Sequence, residues 1–320
     1  MIKLSFEQEE NENGHSQTFI KYTGGRAMYE LIQVGEKTYY INCPAKIGIY
    51  KINESDVCLI DSGNDKDAGK KVQKILKAQN WKLSMIINTH SHADHIGGNS
   101  LLQQRLECPA YSVGIENSFI QNPVLEPSFL YGGYPCKELR NKFLMAQAST
   151  ISELTEEVLP VGLEMIRLDG HSFSMVGLKT ADDVWFLADC LTSSNIIEKY
   201  HVSFLYDVRE YLETLAKVEK LQGKLFIPAH AEPTGNIKDL VDINTNKVFE
   251  IIELIKKTCE EPKCFEDILK NIFDSFQLTM DFTQYALVGS TVRSYLSYLH
   301  DKGELAVDFE NNKLLWLAGS

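Results

Sequence analysis

The chain reads as an α/β fold, and two observations predict it. Short apolar runs rich in β-forming residues alternate with segments of helical period. Four of those runs, at residues 85–87, 163–168, 184–187 and 225–227, each deliver a histidine or aspartate just beyond their carboxyl ends: His90, His171, Asp189 and His230. Open α/β sheets place their functional groups outside those same ends, so four separate deliveries predict one shared rim.

Taken in order, residues 1–16 are polar and acidic, a frayed start or an edge strand. Runs at 29–34, 38–41, 46–52 and 57–61 are separated by turns at 35–37 and 53–56, the spacing of an antiparallel meander. Residues 65–80 place Ala68, Val72, Ile75 and Leu76 on one helical face and lysines on the other. A buried strand at 85–87 feeds the histidine-rich stretch, and a helix at 99–106 follows it.

Residues 112–160 break this rhythm. Pro123, Pro127, Gly132, Gly133 and Pro135 interrupt an aromatic stretch holding Phe119, Phe129, Tyr131 and Tyr134, before a helical segment at 138–146. A loop this long inside a compact domain is usually functional. It either walls a pocket or packs on the flank.

An amphipathic helix at 207–221 carries Val208, Leu212, Leu215, Val218 and Leu221 on one side, and another helix spans 245–257. Composition shifts at Glu260-Glu261-Pro262, which divides the chain into 1–258 and 259–320. The second part reads as a helix at 264–273, a helix capped by Ser290 and closed by Gly303, and a hairpin at 305–309 and 314–317. Helix, helix and hairpin in this order resemble a winged helix.

Composition excludes several classes. Among 320 residues 44% are hydrophobic and 24% charged, ordinary for a soluble globular protein. The net charge of −12 gives phosphate backbones little attraction, so nucleic acid is disfavoured as a partner. Seven scattered cysteines without a C-x-x-C pair suit reduced thiols. The acidic start resembles no signal peptide, and no run reaches membrane-spanning length. A cytoplasmic protein with no membrane association is expected.

The chemistry concentrates at residues 84–98, Ser-Met-Ile-Ile-Asn-Thr-His-Ser-His-Ala-Asp-His-Ile-Gly-Gly. Imidazole and carboxylate without thiolate is the donor set of catalytic rather than structural metal sites. In an extended segment His90 and His92 point the same way and can share one ion, while Asp94 and His95 follow on the turn and can reach a second.

His90-Ser91-His92-Ala93-Asp94-His95 resembles the H-x-H-x-D-H signature of the metallo-β-lactamase superfamily. The resemblance covers most of residues 27–240 and implies a four-layer αββα sandwich. It also implies two divalent ions: one held by His90, His92 and His171, the other by Asp94, His95 and His230. Asp189 would bridge them, with a hydroxide between the ions as the attacking group and Asp94 among the candidate proton donors. Cys190 is a rival to Asp189, because the lactamase branch uses a thiolate hereabouts, but adjacent strand residues face opposite ways. Asp182 and Asp183 lie roughly 20 Å away along the strand. Asp61 matches a family aspartate that steadies a ligand imidazole from behind; its other reading is a turn cap on Ser62-Gly63. Tyr200 and His201, after the Asp189 strand, and Tyr131 and Tyr134, in the insertion, are the candidate substrate contacts. Zinc is the expected metal, and the donor set also accepts iron or manganese.

This superfamily hosts many reactions on one scaffold. The expected activity is hydrolysis of a small-molecule ester, thioester, lactone or amide. The alternatives are a phosphodiesterase or ribonuclease using the same metals, and a metal-bound DNA-binding regulator. Residues 260–320 hold 5 Lys or Arg against 10 Asp or Glu, a formal −5, and the expected recognition helix at 291–300 carries Arg293 alone, so both alternatives are disfavoured. The C-terminal part would pack on the core, cover the pocket or form a homodimer.

Overall fold

The computed structural model describes residues 28–319 and, before them, the backbone of two antiparallel strands, β1 (Phe6–Glu10) and β2 (Ser16–Ile20). The rest of the first 27 residues, His15 included, lies outside the described residues.

The meander at the start forms as the sequence predicts. Strands β3 (Glu30–Gln33), β4 (Thr38–Asn42), β5 (Ile47–Lys51) and β6 (Asp56–Ile60) pair antiparallel in succession. Helix α1 (Lys66–Ala78) then crosses to β7 (Lys82–Ile87), which runs parallel to β6. The α1 start is fixed by Asp65, whose carboxylate accepts from the Asp67 and Ala68 amides and so satisfies two otherwise orphaned donors. After β7 come α2 (Ala93–Ile96), α3 (Asn99–Leu106), β8 (Ala110–Ser112), α4 (Glu116–Gln121), α5 (Leu125–Tyr131), one 3-10 turn (Lys137–Leu139) and β9 (Ser152–Glu153), which closes a seven-stranded sheet in the order β3 to β9.

The second sheet has four strands, β10 (Leu163–Arg167), β11 (Val176–Thr180), β12 (Val184–Phe186) and β13 (Leu225–Ile227), with α6 (Ser194–Tyr200) and α7 (Val208–Val218) between the last two. Three helices follow, α8 (Lys238–Thr258), α9 (Phe265–Ser275) and α10 (Phe282–Asp301), and then the hairpin β14 (Leu305–Glu310) and β15 (Lys313–Ala318).

Alternation of side chains along the strands divides the interior into layers. On β6, Cys58 and Ile60 join Val184, Phe186, Leu225 and Ile227 between the two sheets. Their neighbours Val57 and Leu59 instead meet Val72 and Leu76 of α1 and Leu102 of α3. On the far side of the second sheet, Trp185, Leu187 and Phe226 pack against Val208 and Leu215 of α7 and Ile251 and Ile255 of α8. Helix, sheet, sheet, helix is the expected four-layer order. Each fully buried aliphatic side chain contributes about 1.5–3 kcal/mol, so these interlayer clusters carry most of the stability.

Several expectations need correction. Residues 138–146 form no α-helix beyond the turn at Lys137–Leu139, because the stretch is spent instead on Leu139 and Leu144 packing into a small apolar cluster with Leu130 and Ala286. The last long helix starts at Phe282, not after Ser290: Asp281 accepts from the Gln284 amide, leaving Ser290 in mid-helix. Likewise α8 begins at Lys238, ahead of the expected 245, and helices α4, α5 and α6 and strands β8, β9 and β11 went unread. Helix, helix and hairpin do occur in the expected C-terminal order. One apolar cluster runs through both sides of position 258, joining Ile251 and Ile255 to Ile268, Leu296 and Leu305. Among the described residues no helix is long and apolar enough to cross a membrane, and all seven cysteines are free thiols.

Candidate metal centre

The histidine-rich turn sits where β7 ends, over a buried polar floor. Asn88 receives a hydrogen bond from the Asn99 amide at 2.7 Å, donates to the His95 carbonyl at 3.3 Å, and its own carbonyl accepts from Ser112 at 3.0 Å. The turn closes because of two glycines. A β-carbon on Gly97 would lie 2.3 Å from the Asn64 carbonyl carbon, and one on Gly98 would lie 2.3 Å from the Ser62 oxygen. The backbone approach that presents Asp94 and His95 therefore tolerates no side chain at either position.

The second sheet supplies the remaining groups. His171 lies on the loop between β10 and β11, Asp189 follows β12, and His230 follows β13. All seven residues meet. The ligand atoms of His90, His92, His171 and Asp189, and those of Asp94, His95, Asp189 and His230, form two groups, each with its atoms within 4.8 Å of one another. Asp189 is common to both. Its Oδ1 lies 2.9 Å from His95 Nε2, and its Oδ2 lies 3.1 Å from His230 Nε2, 3.4 Å from His171 Nε2 and 3.9 Å from His90 Nε2.

Partners behind the rings determine which nitrogen faces inward. His95 Nδ1 is 2.8 Å from Asp61, and His230 Nδ1 is 3.1 Å from the Pro44 carbonyl, so each turns Nε2 to the centre. His90 Nδ1 lies 3.1 Å from the Thr89 hydroxyl, which itself donates to Asp61 at 2.8 Å. His92 is reversed: its Nδ1 is 3.0 Å from both His90 Nε2 and His171 Nε2, while its Nε2 faces Glu126 at 3.6 Å. The Asp61 contact to a ligand imidazole is thus present, and through Thr89 it reaches a second. Asp61 holds a left-handed backbone (φ 63°), and Ala188 (φ 48°), next to Asp189, does too. Such strain persists only where surrounding structure enforces it.

The electrostatics suit cations. Burial, followed by the neighbouring imidazoles, pushes His90 well below its ordinary range. Burial likewise outweighs the Asp189 carboxylate at His92, down to about 4, and at His171, down to about 3. These three are therefore neutral, lone-pair donors. For His230 burial works against protonation, but the Asp189 and Asp94 carboxylates prevail and push it up to about 10. Asp94, which burial alone would raise, is held at about 2 by His95 and His230. Although His95 Nε2 and Asp189 Oδ1 are 2.9 Å apart, neither makes a hydrogen bond of proper geometry, and both are buried. Orphaned buried polar atoms are costly, and His92 Nδ1 can pair with only one of the two ring nitrogens 3.0 Å from it, so a cation between the three would satisfy what is left. The residues fit divalent cations, with nitrogen and oxygen donors only.

Cys190 is buried outside both groups, with burial raising its thiol, and its carbonyl accepts from the Tyr211 hydroxyl. Asp182 accepts instead from Thr38 and Lys37. No hydrogen bond, ion pair or ring contact joins the four candidate substrate residues to the clustered ligands. Tyr131 meets Phe282 edge-on at 5.9 Å and borders a cleft of about 700 Å³ shared with Tyr206 and Ser294. Tyr134 is exposed and accepts from Arg140 at 2.9 Å. Tyr200 ends α6 with the Lys199 ammonium 4.7 Å from its ring, and His201 stacks on Phe276 at 4.5 Å beside Lys247. The aromatic ring that does lie on the ligands is Phe204, 5.3 Å from His92 and 5.8 Å from His171 between centroids.

Two buried acids also escaped sequence reasoning. Glu116, fully buried, accepts from the Ser91 amide at 2.9 Å, the Ser172 hydroxyl at 2.9 Å and the Ser174 amide at 2.8 Å. Burial, then the charge on Glu116, pushes Glu126 up to about 8. Neither belongs to a local motif; only an unusual pair of acids in the aromatic stretch could have drawn attention.

Comparison with known proteins agrees with this fold. The sequence pattern of the metallo-beta-lactamase superfamily matches residues 43–230, which contain all seven clustered residues. Beta-lactamase-like protein 2 homolog of Drosophila melanogaster is 21% identical over 260 residues, covering 78% of this chain and 80% of its own length. The probable metallo-hydrolase YqjP of Bacillus subtilis is 24% identical over 244 residues, covering 67% and 76%. In fold, the chain is similar to a beta-lactamase domain protein from Burkholderia ambifaria, with a TM-score of 0.70 at 15% identity over 92% of this chain and 95% of that one. It is also similar to a metallo-beta-lactamase family protein from Thermus thermophilus, with a TM-score of 0.67 at 14% identity over 90% and 97%. Matching the family pattern over more than half its length, the chain belongs to the metallo-beta-lactamase superfamily, a family of hydrolases.

Proposed function

We propose that this protein is a two-metal hydrolase acting on an ester, thioester, lactone or amide bond of a small molecule. The observation that carries the reading is the pair of ligand groups sharing one buried carboxylate, Asp189. Two divalent ions bound there, zinc first by donor chemistry with iron or manganese as rivals, would acidify a water and polarise the bond under attack. The protein's own contribution is placement. His90, His92 and His171 form the buried side, while Asp94 and His230, with side chains 38% and 24% exposed, face the solvent from which substrate arrives. Asp94 at this mouth is the group placed to carry a proton to the leaving atom. Phe204 supplies an apolar wall over the imidazoles.

A small neutral or weakly charged substrate is favoured over a polynucleotide by the net charge of −12. The lone arginine of 291–300, Arg293, is engaged over the Phe265 ring at 3.7 Å. The test is metal analysis of the purified protein followed by assay of reconstituted enzyme against ester, thioester, lactone and β-lactam panels, with single-stranded RNA alongside. Two ions per chain and turnover in a small-molecule panel, lost in His92→Ala, is the expected result. Inertness to every panel with RNA cleaved would replace this reading with a ribonuclease.

A further inference from the structure

The helices that interrupt the sequence rhythm after β8 meet the centre through a carboxylate that is not a ligand. Glu116, the first residue of α4, is buried and bonds to both loops that carry the three-imidazole group. One of its oxygens takes the Ser91 amide, and Ser91 stands between His90 and His92. The other oxygen takes the Ser172 hydroxyl and the Ser174 amide, on the loop that carries His171. Ser91 belongs to the first sheet's rim and Ser172 to the second's, so one side chain ties together two loops 79 residues apart in sequence, as counted from His92 to His171. Hydrogen bonds to a charged acceptor are the strong ones, and here three converge where no water competes. The second acid of the same segment, Glu126 on α5, stands 3.6 Å behind the outward Nε2 of His92.

We propose that Glu116 is a positioning residue that sets the spacing of His90, His92 and His171, so that it governs the metal affinity of this group and leaves the Asp94, His95 and His230 group largely untouched. The inference rests on the two-ion reading above. Its physical basis is that His92 Nδ1, 3.0 Å from two ring nitrogens, can pair with only one of them in the absence of a cation, so the three imidazoles keep this spacing only if their backbones are held. Asp61 cannot substitute, because it reaches His90 only through Thr89 and touches neither His92 nor His171.

The test is titration of the metal-free full chain with Zn²⁺, and with Co²⁺ read by its visible absorption, in the wild type and in Glu116→Gln, Ser172→Ala and Glu126→Gln. The wild type should bind two ions. Glu116→Gln keeps the shape but replaces acceptor lone pairs with N–H facing donors, and should weaken one of the two sites by about 10–100-fold while the other is unchanged. Ser172→Ala removes one of three donors and should weaken the same site by less; Glu126→Gln should shift that site's Co²⁺ spectrum. Should Glu116→Gln misfold by circular dichroism, Ser172→Ala decides alone. Two ions bound with unchanged affinities in every variant, or equal weakening of both sites, overturns the positioning role. A wild type that binds no second ion overturns the two-ion reading and this inference with it.

Discussion

The two halves of the centre share Asp189 but are built on different principles. The group of His90, His92 and His171 is the more enclosed, with side chains 0%, 16% and 10% exposed, and burial pushes its imidazoles towards the neutral form. The group of Asp94, His95 and His230 is more open and rich in carboxylate. Burial opposes the protons there too, but Asp189 and its fellow carboxylates attract them and push both His95 and His230 upward. One half is preset for a cation by exclusion of water; the other is preset by charge and must exchange a proton for its ion. The difference teaches that the two-ion centre proposed above would not be a symmetric device. The enclosed half would anchor, and the open half would face substrate.

The largest effect should come from removing what the halves share. Asp189→Ala deletes the carboxylate facing four imidazoles, and should lower bound metal below one ion per chain and hydrolysis by about 10³-fold or more. Retention of two ions would break the idea that the halves are joined through this residue.

Next in size is the pH dependence of metal binding, which should separate the halves. Over pH 6–8 affinity at the three-imidazole group should stay nearly flat, since His92 and His171 titrate at about 4 and about 3. Affinity at the other group should rise by at least about tenfold per pH unit, as protons leave His230 and His95 for each ion bound. Calorimetric titration at three pH values checks this, and identical slopes at both sites would refute the contrast. In the metal-free chain the same proton has a stability consequence. His230 is raised to about 10, so its contribution is complete below the unfolded value of about 6.5 and is lost as pH rises through about 10. Asp94, lowered to about 2, stabilises above about 4 and loses that contribution as pH falls through about 2.

A smaller effect is expected from Gly97→Ala, where the added methyl meets the Asn64 backbone. It should destabilise the chain by about 1–3 kcal/mol and lower metal affinity first at the Asp94 and His95 side, both readable from thermal melts with and without Zn²⁺. Smallest is Cys190→Ala, which should keep two ions and cost about 1 kcal/mol for a buried side chain that touches neither group. Loss of an ion in that variant would restore the thiolate as a ligand.

What could be read from the chain follows the range of the interactions concerned. The meander from β3 to β6 and the α1 helix were legible because alternation and helical period are local, and the same holds for the His90 to His95 motif. His171, Asp189 and His230 were legible only in combination, each at the end of an apolar run and each matched to a family pattern. The start of α10 was misplaced because Ser290 and Asp281 are both good caps, and burial of Ala286 and Val288 on the inner side decided between them. The region from α4 to the 3-10 turn was unreadable, since its short helices are fixed by long-range packing of Leu130, Leu139 and Leu144 against Ala286 rather than by propensity.

By itself, then, the sequence determined the early meander, the α1 face and the donor types, because alternation, helical period and ligand chemistry are properties of residue types at given spacings. The layer order came from the family resemblance. Only the tertiary structure decided which nitrogen each imidazole presents, how the two Asp189 oxygens divide among the imidazoles, and that Glu116 and Phe204 belong to the centre. Those depend on distances between residues far apart in the chain, and a hydrogen bond or ring contact exists only once folding has closed that distance.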